Sequence, residues 1–160
     1  MFNFLKKPLK FQLVAPMSGA VASVTEAADP VFAQKMVGDG VTINATNNNI
    51  VAPGDGSVSF IADTKHAFAM VLDNGVEILV HIGLDTVSLK GEGFAQLVSQ
   101  GTRVSCGTPI IAIDKAFILE KGISLVSPIV ITNPEVIKSM HCIVGIEAVV
   151  GKTVILEYTL

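Results

Sequence analysis

Apolar positions along the chain fall into short segments rich in β-branched residues, separated by turns that contain glycine, proline, asparagine or aspartate. The segments recur roughly every eight to twelve residues, which is the spacing of strands in an antiparallel sandwich or barrel. Helical periodicity is scarce. We therefore predict one all-β domain over residues 13–160, an antiparallel β-sandwich or barrel, preceded by a flexible lead-in at residues 1–12.

Three places carry the signals of short helical turns. Residues 93–100 end at Gly101, and glycine suits the left-handed position after a helix. Asp114 can cap a turn over residues 115–120. Asn133 precedes a proline and an acidic residue, the order typical of a helix start.

A hairpin is predicted over residues 63–86, where two apolar runs flank Asn74 and Gly75. Asn-Gly is the preferred pair for a two-residue type I′ turn. In that register His81 faces Phe68, and His66, two residues from Phe68, shares the face of His81. The two histidines become diagonal neighbours about 7 Å apart. A loop of odd length would instead put them on opposite faces.

An internal repeat relates residues 14–21 to residues 51–58. Both segments read as a strand, an Ala-Pro step, a turn glycine and a second strand. A weaker similarity relates residues 37–43 to residues 104–110. We therefore expect a duplicated architecture inside the single domain.

Composition narrows the class of protein. Half of the 160 residues are hydrophobic, 16% are charged and the net charge is −3, so a large core is expected and a nucleic-acid partner is not. No run approaches the roughly 18 apolar residues of a membrane helix, and stable membrane insertion is not predicted. Cys106 and Cys142 form no metal or redox motif. These features favour a cytoplasmic protein.

The two histidines are the candidate site. A neutral imidazole is a nucleophile when one ring nitrogen is held as a donor and the other keeps its lone pair. Two histidines on one face, beside Thr64 and Asp85, indicate such a site. The residues alone leave a second interpretation open, in which His66 and His81 are ordinary half-buried histidines.

Three motifs carry a family resemblance: residues 32–40, residues 64–67 and residues 80–94. In order and spacing, from about residue 14 to about residue 136, the chain closely resembles the glucose-type enzyme IIA of the bacterial sugar phosphotransferase system. The resemblance implies a β-sandwich of the duplicated hybrid motif kind. It also implies a phosphoryl relay, in which the carrier protein HPr donates to enzyme IIA and a cysteine of a IIB domain accepts during sugar uptake.

The resemblance assigns roles to individual residues. His81 matches the phosphorylated histidine and His66 the second active-site histidine. Thr64 matches the hydroxyl that orients His66, and Asp85 the nearby carboxylate, which would promote onward transfer or else cap the turn after the strand. The backbone carbonyl of Gly83 could fix the tautomer of His81.

A rim of apolar residues for docking partners is also implied by the resemblance. Ala62 stands where relatives often have a bulky apolar residue, so the rim is thinner there. No cofactor is required, and regulated transporters or kinases are possible additional partners. The rim positions are Phe32, Met36, Val37, Leu79 and Val87.

The residues alone leave two alternative functions open. His81 and Asp85 have the spacing of half a zinc peptidase site, but the chain has no histidine-x-histidine pair to complete it. His66 and His81 could still bind zinc adventitiously, with a carboxylate from a partner. The other alternative is a regulatory binding module without phosphotransfer, which the presence of His66, His81, Thr64 and Asp85 disfavours.

Overall fold

The computed structural model describes residues 9–160, which form fourteen strands and two short α-helices. The strands are β1 (Lys10–Val14), β2 (Gly19–Ser23), β3 (Asp39–Ala45), β4 (Asn49–Val51), β5 (Gly56–Ile61), β6 (Ala67–Leu72), β7 (Glu77–His81), β8 (Phe94–Gln96), β9 (Arg103–Val104), β10 (Pro109–Ile113), β11 (Val126–Ile131), β12 (Ser139–Cys142), β13 (Glu147–Ala148) and β14 (Val154–Thr159). The helices are α1 (Pro30–Ala33) and α2 (Lys115–Glu120). Single 3₁₀ turns span Val24–Glu26, Thr86–Leu89 and Pro134–Val136.

The strands form three antiparallel sheets. The largest has eight strands in the order β13-β2-β3-β11-β7-β6-β5-β9. Two three-stranded sheets have the orders β1-β14-β12 and β4-β10-β8. Fully buried side chains from all three sheets, among them Leu13, Phe68 and Ile111, share one hydrophobic core. The predicted all-β antiparallel fold is confirmed.

The internal repeat has a direct structural counterpart. The N–H of Val14 donates to the carbonyl of Pro53 at 3.0 Å, and the N–H of Val51 donates to the carbonyl of Pro16 at 2.8 Å. The two copies therefore bind each other through the same atoms of corresponding residues. The repeat predicted from residues 14–21 and 51–58 is confirmed by this reciprocity.

The weaker similarity between residues 37–43 and 104–110 has no such counterpart. Residue 104 corresponds to residue 148, because Gly56 pairs with Val104 as Gly19 pairs with Ala148. In the duplication, the strand pair β5–β9 therefore corresponds to the strand pair β2–β13. The similarity between residues 37–43 and 104–110 therefore reflects only the glycine-containing turns that both segments have, and it does not mark duplicated elements.

The register of the β6–β7 hairpin differs by one residue from the prediction. Leu72 and Val76 flank a three-residue loop, in which the N–H of Gly75 donates to the carbonyl of Leu72 at 2.9 Å and Gly75 has a φ of 89°. His81 consequently faces Ala67, while Phe68 faces Val80 in the core. The observed register buries the apolar face of both strands, and that gain outweighs the turn preference of Asn-Gly.

The predicted helices have mixed outcomes. Helix α2 is present, and the Asp114 carboxylate caps it by accepting from the N–H of Phe117. A 3₁₀ turn follows Asn133, whose side chain instead accepts from the N–H of Glu77. The helical prediction for residues 93–100 is wrong, because Phe94–Gln96 is a strand paired with β10. Long-range pairing overrides local preference there.

The N-terminal end enters the fold earlier than predicted. Strand β1 begins at Lys10 and pairs with β14, so the predicted boundary at residue 12 lies inside a strand. The remainder of the predicted lead-in, residues 1–8, lies outside the described residues. Among residues 9–160, no helix has the length and hydrophobicity that crossing a membrane requires.

Candidate functional site

His66 and His81 meet on the outer face of the eight-stranded sheet. Their ring centroids are 5.0 Å apart and the ring planes are nearly perpendicular. His81 ends β7, whereas His66 lies in the turn before β6, after Lys65 in a left-handed conformation. Because His66 lies outside the strand, its side chain does not follow the strand alternation, which would have directed it into the core. The two histidines therefore come together for a reason different from the predicted one.

Thr64 holds the ring of His66. The threonine hydroxyl oxygen lies 2.6 Å from Nδ1 of His66. The backbone of His66 is fixed as well, because its carbonyl accepts from the N–H of Ile82 at 2.7 Å. When the hydroxyl donates to Nδ1, the ring proton resides on Nε2, where it can be donated to a neighbouring group.

The tautomer of His81 is set by the backbone. Nδ1 of His81 lies 2.7 Å from the carbonyl oxygen of Gly83, and a carbonyl can only accept. Nδ1 is therefore the donor, and a neutral ring keeps its lone pair on Nε2. This is the state in which imidazole acts as a nucleophile.

Gly83 is held in place from two sides. It has a φ of 71°, and a Cβ at this position would lie 2.6 Å from the carbonyl oxygen of Ser124 and 2.7 Å from the side chain of Thr86. Its N–H donates to the hydroxyl of Ser127, which is buried and donates to the carbonyl of Leu125. The acceptor of the His81 proton is thus fixed by packing as well as by hydrogen bonding.

Ser127 and Thr86 were missed by the sequence reasoning. Ser127 orients Gly83, and the Thr86 hydroxyl donates to the carbonyl of Ile82 at 2.6 Å. Both side chains are fully buried. A serine within the apolar run of residues 125–131 was the available signal, because a buried hydroxyl needs a partner.

Burial favours the neutral form of both rings. Desolvation lowers the pKa of His81; its hydrogen bond to Gly83 and the charges of Asp29 and Asp85 offset this only in part. Desolvation also lowers the pKa of His66, and the nearby His81 lowers it further. The usual histidine pKa is about 6.5, and a pKa lowered from that value favours the neutral ring of His81, with its lone pair on Nε2, at neutral pH.

Two carboxylates flank His81, of which only Asp85 was predicted. Asp85 is exposed at a φ of 62°, and within the described residues its side chain makes no capping hydrogen bond to the following 3₁₀ turn. The structure therefore does not support the capping role. Asp29 caps α1 by accepting from the N–H of Val31 at 2.9 Å. The Asp-Pro pair before Phe32 was its sequence signal.

The predicted rim residues divide into buried and exposed sets. Phe32 is buried, and its ring centroid lies 5.2 Å from that of His81. Val37 and Leu79 are half-buried and pack against the same cluster as Phe32. Met36 and Val87 are 71% and 55% exposed. The first three thus support the site from beneath, and the last two are free to contact a partner.

The described part of the chain offers no complete metal site. No group of three or more histidine, cysteine, aspartate or glutamate residues in residues 9–160 is arranged to hold an ion. His66 and His81 supply two nitrogens, whereas structural and catalytic zinc sites use three or four protein ligands.

Comparison with known proteins gives consistent matches. The family described as phosphoenolpyruvate-dependent sugar phosphotransferase system, EIIA 1, matches residues 11–137. A PTS system glucose-specific EIIA component of Oceanobacillus iheyensis is 43% identical, over 71% of this chain and 68% of that protein. One from Staphylococcus aureus is 48% identical, over 66% of this chain and 64% of that protein.

A longer relative and a solved structure also match the chain. A PTS system N-acetylglucosamine-specific EIICBA component of Klebsiella pneumoniae is 46% identical over 66% of this chain, which corresponds to 16% of that longer protein. Among solved structures, the glucose permease IIA from Mycoplasma capricolum superposes with a TM-score of 0.85 at 37% identity, over 98% of this chain and 99% of that one. The chain therefore belongs to the EIIA 1 family, the phosphocarrier components of the phosphoenolpyruvate-dependent sugar phosphotransferase system.

Proposed function

We propose that this chain accepts a phosphoryl group from phospho-HPr on Nε2 of His81 and passes it to a cysteine of a IIB domain during sugar uptake. The observation that carries the proposal is the 2.7 Å contact between Nδ1 of His81 and the Gly83 carbonyl, which leaves the lone pair on Nε2. In acceptance, the Nε2–phosphorus bond forms as the bond to the donor histidine breaks. In release, a IIB thiolate displaces Nε2, and His81 returns to its neutral state.

His66 stabilises the group in transfer. Phosphoryl transfer has a loose transition state, so a protein contributes mainly position and charge. The ring of His66 is close enough to His81 to direct its Nε2–H towards the phosphoryl oxygens. Thr64 acts as a positioning residue, because its hydroxyl holds Nδ1 of His66.

Asp85 and Asp29 favour release of the phosphoryl group. Both carboxylates are close enough to influence the charge state of His81. A phosphorylated His81 carries negative charge, and nearby negative charges raise its free energy. The same carboxylates attract positively charged groups on an approaching partner, which raises the rate of encounter.

Partners dock through the exposed apolar rim around His81. Met36 and Val87 are exposed there, and such contacts exclude water that would otherwise hydrolyse the phosphohistidine. The fused EIICBA relative supports a IIB domain as the acceptor, because it joins EIIA to EIIB in one chain. A cytoplasmic location follows from phospho-HPr as the donor. Regulated transporters or kinases would use the same face.

Zinc is not required in this mechanism. An ion held by His66 and His81 would need a further ligand, for which a partner's carboxylate is the candidate. No observation favours the zinc hydrolase or a module without phosphotransfer.

The relay itself tests the proposal. The chain is incubated with phosphoenolpyruvate, enzyme I and HPr, and intact mass should show one added phosphoryl group, which a IIB domain then removes. His81→Ala should gain none, whereas His141→Ala, which changes an exposed histidine on β12, should gain one. Labelling of His81→Ala at the wild-type rate would overturn the assignment.

A further inference from the structure

The loop that follows β7 is attached to β11 through a side chain instead of a backbone carbonyl. The two strands pair as far as Val80, which lies opposite Ile129. Beyond that point the N–H of Gly83 donates to the hydroxyl of Ser127 at 2.9 Å, in a buried position. The hydroxyl thus satisfies the backbone where the strand ends, and the chain can turn at Gly83 without leaving a buried N–H unpaired.

Two buried hydroxyls hold this loop in an unfavourable backbone conformation. Gly83 and Asp85 both have left-handed backbones, with φ values of 71° and 62°. A left-handed aspartate costs free energy and persists only where the surrounding contacts determine it. Those contacts are the hydrogen bond from Gly83 to Ser127 and that from the Thr86 hydroxyl to the carbonyl of Ile82, at 2.6 Å. Both hydroxyl side chains are fully buried.

The hydroxyl of Ser127 is itself oriented by the backbone. It donates its one proton to the carbonyl of Leu125 at 2.8 Å, so that it can only accept from Gly83. The carbonyl of Leu125 also accepts from the N–H of Ala45 on β3, at 3.0 Å. Ser127 therefore connects the loop to two strands of the central sheet, with the direction of each hydrogen bond determined.

A second contact from the same segment acts on the carbonyl that holds His81. The N–H of Leu84 donates to the carbonyl of Ser124 at 3.2 Å. This N–H and the carbonyl of Gly83 belong to one peptide group, and that carbonyl accepts from Nδ1 of His81 at 2.7 Å. Hydrogen bonds in such a chain polarise one another, so the carbonyl of Gly83 becomes a stronger acceptor. A stronger acceptor at Nδ1 fixes the tautomer of a histidine and makes its other nitrogen more basic.

We propose that residues 124–127 position His81 for phosphoryl transfer, because the Ser127 hydroxyl and the Ser124 carbonyl hold Gly83 where it keeps the proton of His81 on Nδ1. The inference rests on the proposed function. Ser127 acts through Gly83, so it is a positioning residue. Without its hydroxyl, the N–H of Gly83 would be buried and unpaired, and the loop would shift to find it a partner.

The tautomer of His81 tests this role in the unphosphorylated protein. ¹⁵N NMR of the full chain labelled at histidine shows which ring nitrogen carries the proton. The wild-type ring should carry it on Nδ1. In Ser127→Ala, part of the population should carry it on Nε2, because the carbonyl of Gly83 no longer stays in place. A serine that only stabilised the fold would leave the tautomer of the folded protein unchanged.

The kinetics of acceptance give a second readout. At saturating phospho-HPr, Ser127→Ala should accept the phosphoryl group about 10–100-fold more slowly, as expected when a reacting group is displaced. The KM for phospho-HPr should stay at the wild-type value, because Ser127 is fully buried and contacts no partner directly. Ser127→Thr keeps the hydroxyl and should retain the wild-type tautomer and most of the rate. Ser127→Cys, with a weak acceptor, should behave like Ser127→Ala and serves in its place if the alanine variant is unstable.

Thr159→Val is the matched control. Thr159 is a buried residue on β14, in a different sheet, and its hydroxyl lies 2.6 Å from that of Ser139. Loss of this hydroxyl should change neither the tautomer of His81 nor the rate of acceptance. Wild-type tautomer and rate in the alanine and cysteine variants of Ser127, or equal changes in Thr159→Val, would overturn the positioning role. Absence of phosphorylation in the wild-type protein would overturn the proposed function, whereas the tautomer measurement, which needs no partner, would still decide whether Ser127 holds His81.

Discussion

At the scale of residues, chemistry at the site is decided by what each ring nitrogen contacts. His81 donates from Nδ1 to a carbonyl, which can only accept, so its lone pair lies on Nε2. His66 contacts a hydroxyl, which can donate or accept. His81 thereby keeps a lone pair on Nε2, as the proposed nucleophile must, whereas the contact of His66 leaves its Nε2 able to donate. The proposed division of roles between two histidines thus rests on the difference between their neighbours.

Substitution of His66 by glutamine should separate acceptance from release. Glutamine keeps a donor of similar reach, so His66→Gln should still accept a phosphoryl group from HPr. Onward transfer to a IIB cysteine should slow by about 10²–10³-fold, as expected when one electrostatic contact to a transition state is lost. A chase of the isolated phosphoprotein with a IIB domain measures this step.

His141→Gln, at an exposed position on β12, is the control and should behave like wild type. Slowed acceptance with normal release would reverse the division of roles. A normal chase would make His66 structural.

Protonation of His81 should reduce the rate at which the protein accepts a phosphoryl group from phospho-HPr at acid pH. Protonated Nε2 has no lone pair, so acceptance declines as the pH falls through the pKa of His81. Because burial lowers that pKa, acceptance should decline at a lower pH than it would for a histidine of ordinary pKa. In Asp29→Asn a charge that raises the pKa is removed, so the decline should move to still lower pH. NMR titration of the His81 ring and rates from phospho-HPr check both statements; an upward shift would contradict them.

At the scale of elements, the β6–β7 hairpin and the loop after β7 place the histidines through two glycines with left-handed backbones. Gly75 closes the hairpin, and Gly83 presents the carbonyl that holds His81. Their surroundings differ. A Cβ on Gly75 would have no atom within 4 Å in the described structure, whereas a Cβ on Gly83 would overlap with Ser124.

Alanine at the two glycines should therefore have unequal effects. Gly75→Ala should lower the free energy of unfolding by about 1–2 kcal/mol, the cost of a left-handed non-glycine residue, and leave phosphorylation intact. Gly83→Ala should lower it by about 1–3 kcal/mol more, because packing is added to the strain, and should slow acceptance by displacing the carbonyl. Urea unfolding and initial phosphorylation rates measure the two effects. Equal losses in both variants would show that the loop around Gly83 adapts.

Local sequence predicted the elements that depend on local chemistry. The capped helix after Asp114 and the duplicated Ala-Pro turns were predicted correctly, because capping and turn preferences act over a few residues. Strand β8 and the register of the β6–β7 hairpin were not, because each is decided by burial against distant strands. Phe60 is exposed on β5 because the pairing with β6 contains a β-bulge between Val58 and Phe60, which no pattern in the sequence marked.

At the scale of the whole molecule, a duplicated scaffold carries a site in only one of its copies. In one copy, Ala67 of β6 pairs with His81 of β7. At the corresponding position of the other copy, Gly40 of β3 pairs with Val130 of β11, so Val130 occupies the place of His81. Val130 is buried with Phe32, so this copy contributes the apolar support that lies beneath the rim. The family resemblance located both histidines and Thr64. The contributions of Asp29 and Ser127 required the packed structure, because each reaches the site from a distant segment.

The ring nitrogen that carries the phosphoryl group can be identified by NMR. Phosphorylated protein labelled with ¹⁵N at histidine is examined by NMR for the nitrogen bonded to phosphorus. We expect one phosphoryl group, on Nε2 of His81, with Nδ1 still protonated and donating to the carbonyl of Gly83. A group on Nδ1 of His81, or on either nitrogen of His66, would contradict it.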